Sequence, residues 1–144
     1  MEILLMNNEK AALFDYNDYK QKAKLTKTFD NSEYGKKDSD IFTHKAGRMA
    51  TSYNHDQSSF SDNGYKDELV HKFSNDVIHY LDDMNREGHV HDLIIISEPS
   101  CLGHLRENIS KELKDKISEE IPKNFYTERS DTLVKYLTKN VIEA

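Results

Sequence analysis

The sequence has no tryptophan and contains one cysteine, two prolines and five glycines in 144 residues. A disulfide within the chain needs two cysteines, so Cys101 cannot form one, and a lone thiol is typical of a reducing compartment. No apolar run reaches the roughly 18 residues that span a bilayer. The apolar opening of residues 1–6 is too short for a secretory signal. These absences favour one cytoplasmic domain that does not enter a membrane.

Established catalytic motifs are also missing. The sequence has no GxSxG, no P-loop and no GxGxxG. The pair His89-x-His91 lacks the accompanying cysteines or the HExxH spacing of a zinc site, which favours solvated histidines. Cys101 follows a predicted strand near a helix start, where a thiolate would be stabilised, but a packed, inert cysteine is the favoured interpretation. We expect no metal and no cofactor.

Charge is unevenly distributed along the chain. The formal net charge of −6 argues against tight non-specific binding of nucleic acid, which depends on Lys and Arg. Residues 1–48 nevertheless hold 9 Lys/Arg against 8 Asp/Glu, whereas residues 49–144 hold 11 against 18. An anionic partner is therefore expected to contact the first third of the chain. The row Lys20, Lys22 and Lys24 is either an anion-binding strip or a charged strand edge that prevents aggregation.

Apolar spacing predicts strands first and helices later. Residues 1–6 and 11–16, separated by the turn-prone Asn7-Asn8, predict a hairpin. Residues 19–29 alternate, which predicts a half-buried strand with one apolar face; that face comprises Tyr19, Gln21, Ala23, Leu25 and Phe29. Residues 30–64 are polar and without a period, which predicts a long loop.

The second half of the chain carries helical stripes around one strongly apolar strand. A stripe that begins near Tyr65 predicts a helix that Gly88 ends, and residues 93–96 predict a central strand. Pro99 is expected to open the next helix, with one face formed by Leu102, Leu105, Ile109, Leu113 and Ile117.

The end of the chain predicts a short strand and a last helix. The strand is expected within residues 118–126, and Ser130 is expected to cap a helix that reaches about Val141. The order of elements predicts an α/β fold in one domain over residues 1–144: a mixed β-sheet with an antiparallel start, covered by helices.

One segment combines a strand end, a turn and a helix start. The predicted strand is followed by Ser97-Glu98-Pro99-Ser100 and then by the predicted helix. Ligands of open α/β sheets bind where strands end and helices begin, because free N–H groups converge there. Gly103 within a helix costs about 1 kcal/mol relative to Ala. It therefore indicates close approach of another backbone, tight packing or a ligand.

The Pro-x-x-Leu-Gly-x-Leu-Arg pattern at residues 99–106 resembles that of a bacterial family of host attachment proteins, the proteins required for attachment to host cells. The first two predicted strands, the second with Phe14-Asp15 at its end, and the acidic helix with Phe73 before the central strand agree with that family. The box at residues 44–48 resembles its Ser-Asp-Arg-Pro-Gly-Arg box. Ala46 stands where the family usually has Pro, and within residues 122–126 only Lys123 matches.

The resemblance implies a relation to the middle domain of archaeal and eukaryotic peptide-chain release factors and Pelota. It therefore implies a ribosomal S11/L18-like architecture, that of a translational machinery component. The Gly-Gly-Gln tripeptide that promotes peptidyl-tRNA hydrolysis in those factors is absent here. Peptide release by that chemistry is not expected.

Two functions stay open at this point. The first is a non-enzymatic binding module that contacts the ribosome or RNA; the expected contacts are Lys45, Gly47, Arg48, Gly103, Arg106, Lys123 and Arg129. The second is a small hydrolase that acts on a phosphoester or peptidyl-tRNA with Glu98 and His104. We also predict that Arg48 and Arg106 lie on one surface.

Overall fold

The computed structural model describes residues 1–34 and 55–139, with side chains from residue 64 onward in the second range. In chain order its elements are the strands and helices β1 (Glu2–Met6), β2 (Lys10–Asn17), β3 (Lys22–Asp30), α1 (His55–Arg86), β4 (Leu93–Ser97), α2 (Pro99–Asn108), α3 (Lys111–Lys114), β5 (Ile117–Ile121) and α4 (Ser130–Leu137).

The strands form one mixed sheet. Over the described residues its order is β3-β2-β1-β4-β5. The first three strands pair antiparallel, and β4 lies between β1 and β5 in parallel to both. The predicted α/β fold, a mixed sheet with an antiparallel start, is therefore confirmed. The S11/L18-like architecture stays a prediction.

Helices cover the sheet on both faces. On one face, which we call the three-helix face, Leu4, Leu13 and Ile95 pack under residues of α1, α2 and α3. On the other face, Phe14 and Ile96 pack under α4 and the segment that precedes it. All five residues of β4 are buried, since alternate side chains serve the two faces. The aliphatic run at residues 93–96 is thus the central strand that the sequence predicts.

The β1–β2 turn is held by its own asparagine. The Asn7 side-chain oxygen accepts hydrogen bonds from the backbone N–H groups of Glu9 at 2.8 Å and Lys10 at 2.7 Å. An Asx turn of this kind replaces backbone bonds and favours chain reversal. The predicted hairpin is confirmed.

Strand β3 differs from the prediction because it contains a bulge. Leu13 pairs with Lys27 and Phe14 with Leu25, which leaves Thr26 as an extra residue. The Thr26 hydroxyl donates to the Leu13 carbonyl at 3.0 Å. One extra residue reverses the alternation of side chains. Leu25 therefore packs on the α4 face and Phe29 on the three-helix face, so the prediction of one shared apolar face is wrong.

The start of β3 also differs. The strand begins at Lys22, and Tyr19, which was predicted to lie on its apolar face, stands fully exposed at the β2–β3 turn. Gln21 has a φ of 51° in that turn. A residue in the left-handed region ends the extended conformation, so the alternation of residues 19–21 does not continue the strand.

Helix α1 begins ten residues earlier than the predicted Tyr65. Residues 55–64 carry no apolar period, so the sequence pattern does not indicate a helix there. A helix that has already nucleated nevertheless extends at little cost per residue. The predicted loop at residues 30–64 is therefore too long at its end. The predicted stop is confirmed, because Gly88 with φ 81° follows the last turn and the N–H of His89 bonds the Met84 carbonyl at 2.9 Å.

The helix predicted after Pro99 is shorter than its apolar stripe. Helix α2 ends at Asn108, Ile109 is extended, and Ser110 starts α3 by accepting a hydrogen bond from the Leu113 N–H. Ile117 begins β5 instead of continuing the helix. A serine that caps a new helix competes with continuation of the old one.

The last helix also starts differently from the prediction. Its N-cap position is Arg129, without a side-chain capping bond, and Ser130 is the first helical residue. The predicted end near Val141 lies outside the described residues. None of the described helices is long and apolar enough to cross a membrane.

Candidate functional site

The turns that follow β1 and β4 lie side by side. The N–H of Glu98 donates to the Met6 carbonyl at 3.1 Å, which brings the start of α2 next to the β1–β2 turn. The Asn8 side-chain oxygen accepts from the Ser100 hydroxyl at 3.1 Å and from the Cys101 thiol at 2.8 Å. The predicted meeting of strand ends and a helix start is therefore present, with Asn8 as its link.

A small cavity opens beside this junction. Its volume is about 180 Å³, and its lining comes from the β1–β2 turn, the segment after β3, and helices α1 and α2. The lining residues are Asn8, Tyr34, Lys66, Asp67, Val70, Ser100 and His104. Asn8 also orients Tyr34, because its side-chain amide donates to the Tyr34 hydroxyl at 3.0 Å. Val70, a lining residue, belongs to the core cluster of the three-helix face, so the cavity borders the core.

Two histidines face each other across α1 and α2. The Nδ1 atoms of His71 and His104 are 3.4 Å apart, and their rings meet edge to face with centroids 5.4 Å apart. The Nε2 atom of His104 lies 3.2 Å from a carboxylate oxygen of Asp67, and only 16% of the His104 side chain is exposed. Glu107 lies on the same face of α2 as His104, and one ligand atom from each of His71, His104 and Glu107 fits within 4.8 Å.

The sequence singles out His104 as a candidate residue but does not reveal its partners. Asp67 and His71 are four residues apart on α1, and His104 and Glu107 are three apart on α2, so each pair shares a helix face. That spacing was available as a signal, although nothing in the sequence shows that the two faces meet. Glu98, the second residue of the hydrolase hypothesis, is half-buried before α2 and is not part of the described cavity lining.

Cys101 is packed, as predicted, and its thiol is not activated. Its side chain is fully buried, and this burial, reinforced by the negative charge of Glu98, raises the thiol pKa from 9.0 to about 12. The helix start therefore does not stabilise a thiolate here. At neutral pH the thiol is protonated, and it donates to Asn8.

Gly103 differs from its prediction. The residue is exposed, and apart from its chain neighbours and the backbone of its own helix, no described atom lies within 4 Å of the position that a Cβ would occupy. Among the described residues, neither close approach of another backbone nor tight packing explains this glycine. Nothing in the described structure requires glycine at this position.

The predicted basic contacts belong to separate elements. Arg106 is exposed on α2 and its Nε donates to Glu120 of β5 at 2.8 Å. Lys123 is exposed after β5. Arg129 precedes α4 and pairs with Asp131 at 3.3 Å, a hydrogen bond that lowers the pKa of the Asp131 carboxyl. Three further predicted contacts lie outside the described residues: Lys45, Gly47 and Arg48. The prediction that Arg48 and Arg106 lie on one surface therefore also falls outside them.

A second surface lies at the edge of the sheet. Strand β3 is the first strand in the sheet order, so only β2 pairs with it among the described strands. Its lysines are exposed, and the Tyr19 side chain projects from the turn that joins it to β2. We call this surface the lysine edge; it consists of Tyr19, Lys20, Lys22, Lys24 and Lys27.

The comparison with protein families agrees with the motif at residues 99–106. The family model described as "Protein required for attachment to host cells" matches residues 2–137, which is nearly the whole chain. No curated protein matches the sequence. The match does not extend to the relation with release factors and Pelota that the resemblance implies.

Proposed function

The chain belongs to the family of proteins required for attachment to host cells, and from this premise we propose that it is a non-enzymatic binding module whose lysine edge holds single-stranded RNA, free or within the ribosome. The observation that carries the proposal is the fully exposed Tyr19 ring at the tip of a hairpin whose outer strand presents lysines. A cytoplasmic site of action is part of the same proposal, because ribosomes and most RNA are found there.

The spacing of the lysines supports an extended anionic partner. Lys22 and Lys24 are two residues apart on one strand, so they point to the same side at a separation of about 6.7 Å. Lys20 continues the row into the turn, and Lys27 lies further along the strand. The Lys27 ammonium sits over the Phe29 ring at 5.7 Å and the Tyr80 ring at 5.5 Å. A phosphate backbone that runs along this edge would meet one cation after another.

The exposed tyrosine distinguishes RNA from a merely acidic partner. Tyr19 is fully exposed and directly precedes Lys20, at the end of the lysine row. Single-stranded nucleic acids are held by the combination found here, a row of cations next to an aromatic ring on which a base stacks. Stacking of one base contributes about 1–3 kcal/mol.

Two carboxylates limit the charge of the lysine edge. Asp15 is the register partner of Lys24, and Asp18 lies in the turn. Four lysines against two aspartates leave a small positive surplus in a chain whose net charge is −6. We therefore expect weak binding that depends strongly on salt, not the tight binding of a basic domain.

The test is binding of a fluorescent single-stranded RNA oligonucleotide, followed by anisotropy over a series of salt concentrations. Tyr19→Ala should weaken binding by about 5- to 150-fold, the equivalent of one stacked base, while Tyr19→Phe should preserve it. The double variant Lys22→Gln/Lys24→Gln should reduce the salt slope by about 1.4, because each lost phosphate contact removes about 0.7 for a single strand.

A charge-matched control is available on α3. Lys111→Gln/Lys114→Gln also removes two exposed lysines, but from helix α3 and not from strand β3. It should leave affinity and salt slope nearly unchanged. Equal losses in the two double variants would mean that only net charge matters and would refute a dedicated edge. Co-sedimentation with ribosomes in a sucrose gradient, with and without Tyr19→Ala, then distinguishes free RNA from the ribosome as the partner.

The hydrolase alternative uses the cavity instead of the lysine edge. His104, hydrogen-bonded to Asp67 and next to Ser100 in the cavity lining, is the observation that favours it. Two results together would favour the hydrolase over the binding module. The protein would cleave the RNA or peptidyl-tRNA and lose this activity in His104→Gln, and Tyr19→Ala would leave binding unchanged.

A further inference from the structure

We propose that His71, His104 and Glu107 form a binding site for a first-row divalent transition-metal ion, with Zn²⁺ the best fit. The three residues come from two helices, and one ligand atom of each lies within 4.8 Å of the others. The proposal is independent of the lysine edge, which lies on another part of the fold.

The separation of the two histidine nitrogens suits a shared ion better than a direct hydrogen bond. Their Nδ1 atoms are 3.4 Å apart, beyond the roughly 2.7–3.2 Å of a normal hydrogen bond from an N–H group. Two nitrogens that bind one tetrahedral Zn²⁺ at about 2.0–2.1 Å are about 3.3–3.4 Å apart. The rings are therefore already at the spacing that such an ion requires.

The hydrogen bond to Asp67 leaves the correct nitrogen free. The Nε2 atom of His104 lies 3.2 Å from Asp67, and in a neutral imidazole a carboxylate at this nitrogen favours the tautomer with the proton on Nε2. The Nδ1 atom then presents its lone pair toward His71. Histidines that bind metals are commonly held in this way by a carboxylate on the other ring nitrogen, which fixes both the tautomer and the ring orientation.

Glu107 supplies the third ligand with little rearrangement. It follows His104 by three residues on α2, so both side chains leave the same face of the helix. Its side chain is exposed, and one of its carboxylate oxygens already lies within 4.8 Å of a ring nitrogen of each histidine. Two imidazoles and one carboxylate are a ligand set that Zn²⁺ and its neighbours accept.

The helices that carry these ligands are firmly packed. Val70 and Phe73 of α1 belong to the same buried core cluster as Leu102 and Leu105 of α2. A metal site on two packed helices keeps its geometry without the ion, which reduces the cost of assembling it. Three protein ligands leave the fourth tetrahedral position open. A water or an anionic oxygen such as that of a phosphate can fill a position of this kind.

The test is titration of Zn²⁺ into chelator-treated, full-length protein by calorimetry, with Co²⁺ as a spectroscopic probe. We expect one ion per chain and, for Co²⁺, the strong visible bands of tetrahedral coordination. His71→Ala and His104→Ala should each weaken binding by more than about 100-fold, and Asp67→Asn by about 10- to 100-fold. Circular dichroism of the metal-free variants shows whether they are folded.

The control is His79→Ala, which removes an exposed histidine from the same helix α1. It should bind Zn²⁺ like the unaltered protein. If a histidine variant does not fold, Glu107→Gln still tests the site, because this exposed side chain is not part of the core. The Glu107→Gln variant should lose the tetrahedral Co²⁺ spectrum. Absence of Zn²⁺ binding, binding unaffected by His71→Ala or Glu107→Gln, or an equal loss in His79→Ala would each overturn the proposal.

Discussion

Replacement of Ile95 by alanine tests the placement of the central strand. Ile95 is 1% exposed in the middle of β4, and its register partners are Leu4 on β1 and Glu120 on β5. Its side chain belongs to the core cluster under α1 and α2. Both neighbouring strands are hydrogen-bonded to β4, so the backbone around Ile95 has little freedom to close a void.

The magnitude follows from what the substitution removes. Ile95→Ala deletes three carbon atoms, which contribute about 0.8 kcal/mol each by transfer, or about 2.4 kcal/mol together. The cavity that remains adds a further term, and Ile or Leu to Ala changes in rigid cores cost about 2–5 kcal/mol in total. We expect the upper half of that range here, because two paired strands hold the site open.

The assay is equilibrium unfolding in urea, with the free energy of unfolding taken from the midpoint and slope. Ile117→Ala is the matched control, since it deletes the same atoms from the same core cluster at a half-buried position at the start of β5. It should cost clearly less than Ile95→Ala. A loss below about 1 kcal/mol for Ile95→Ala, or a larger loss for the control, would refute the assignment of β4 as the buried centre of the sheet.

Two further predictions concern single residues whose environment is well defined. Because burial raises the pKa of Cys101 to about 12, its thiol stays protonated in the folded chain up to that pH, whereas the unfolded chain loses the proton from about its ordinary value of 9.0. The Cys101 contribution to stability is therefore present below pH 9 and lost between pH 9 and 12. At pH 8 a thiol reagent should modify the native protein far more slowly than the urea-unfolded protein. Equal rates of modification would contradict the burial of Cys101. Gly88→Ala should cost about 1–2 kcal/mol, since φ is +81° while no described atom obstructs a Cβ; a neutral effect in urea unfolding would show that the helix ends differently.

Local patterns predicted the elements that depend on one stretch of chain. The β1–β2 hairpin followed from two apolar runs around Asn7-Asn8, and the end of α1 followed from Gly88. The strand β4 followed from four consecutive aliphatic residues. Each of these signals acts through the conformation of its own segment or through burial on both faces, so neighbouring elements do not change the outcome.

The predictions that failed depended on where a regular pattern stops. The alternation along β3 hides the bulge at Thr26, because the bulge exists only in relation to the register with β2. The stripe from Leu102 to Ile117 fits one helix by spacing alone, yet Ser110 starts a new helix and Ile117 joins β4. Pairing across the sheet decided the bulge and the start of β5, and apolar periodicity does not report which strands pair. The cap at Ser110 decided the boundary between α2 and α3.

The candidate sites also differ in whether the sequence alone or only the tertiary structure reveals them. The sequence by itself determined the lysine row, the family motif at residues 99–106 and the acidic balance of the chain, because each is a property of neighbouring residues. Only the tertiary structure brought His71 to His104, 33 residues further along the chain, at 3.4 Å. Their meeting follows from the packing of α1 against α2 over one sheet face, and the angle and height of that packing are set by the core residues between the helices.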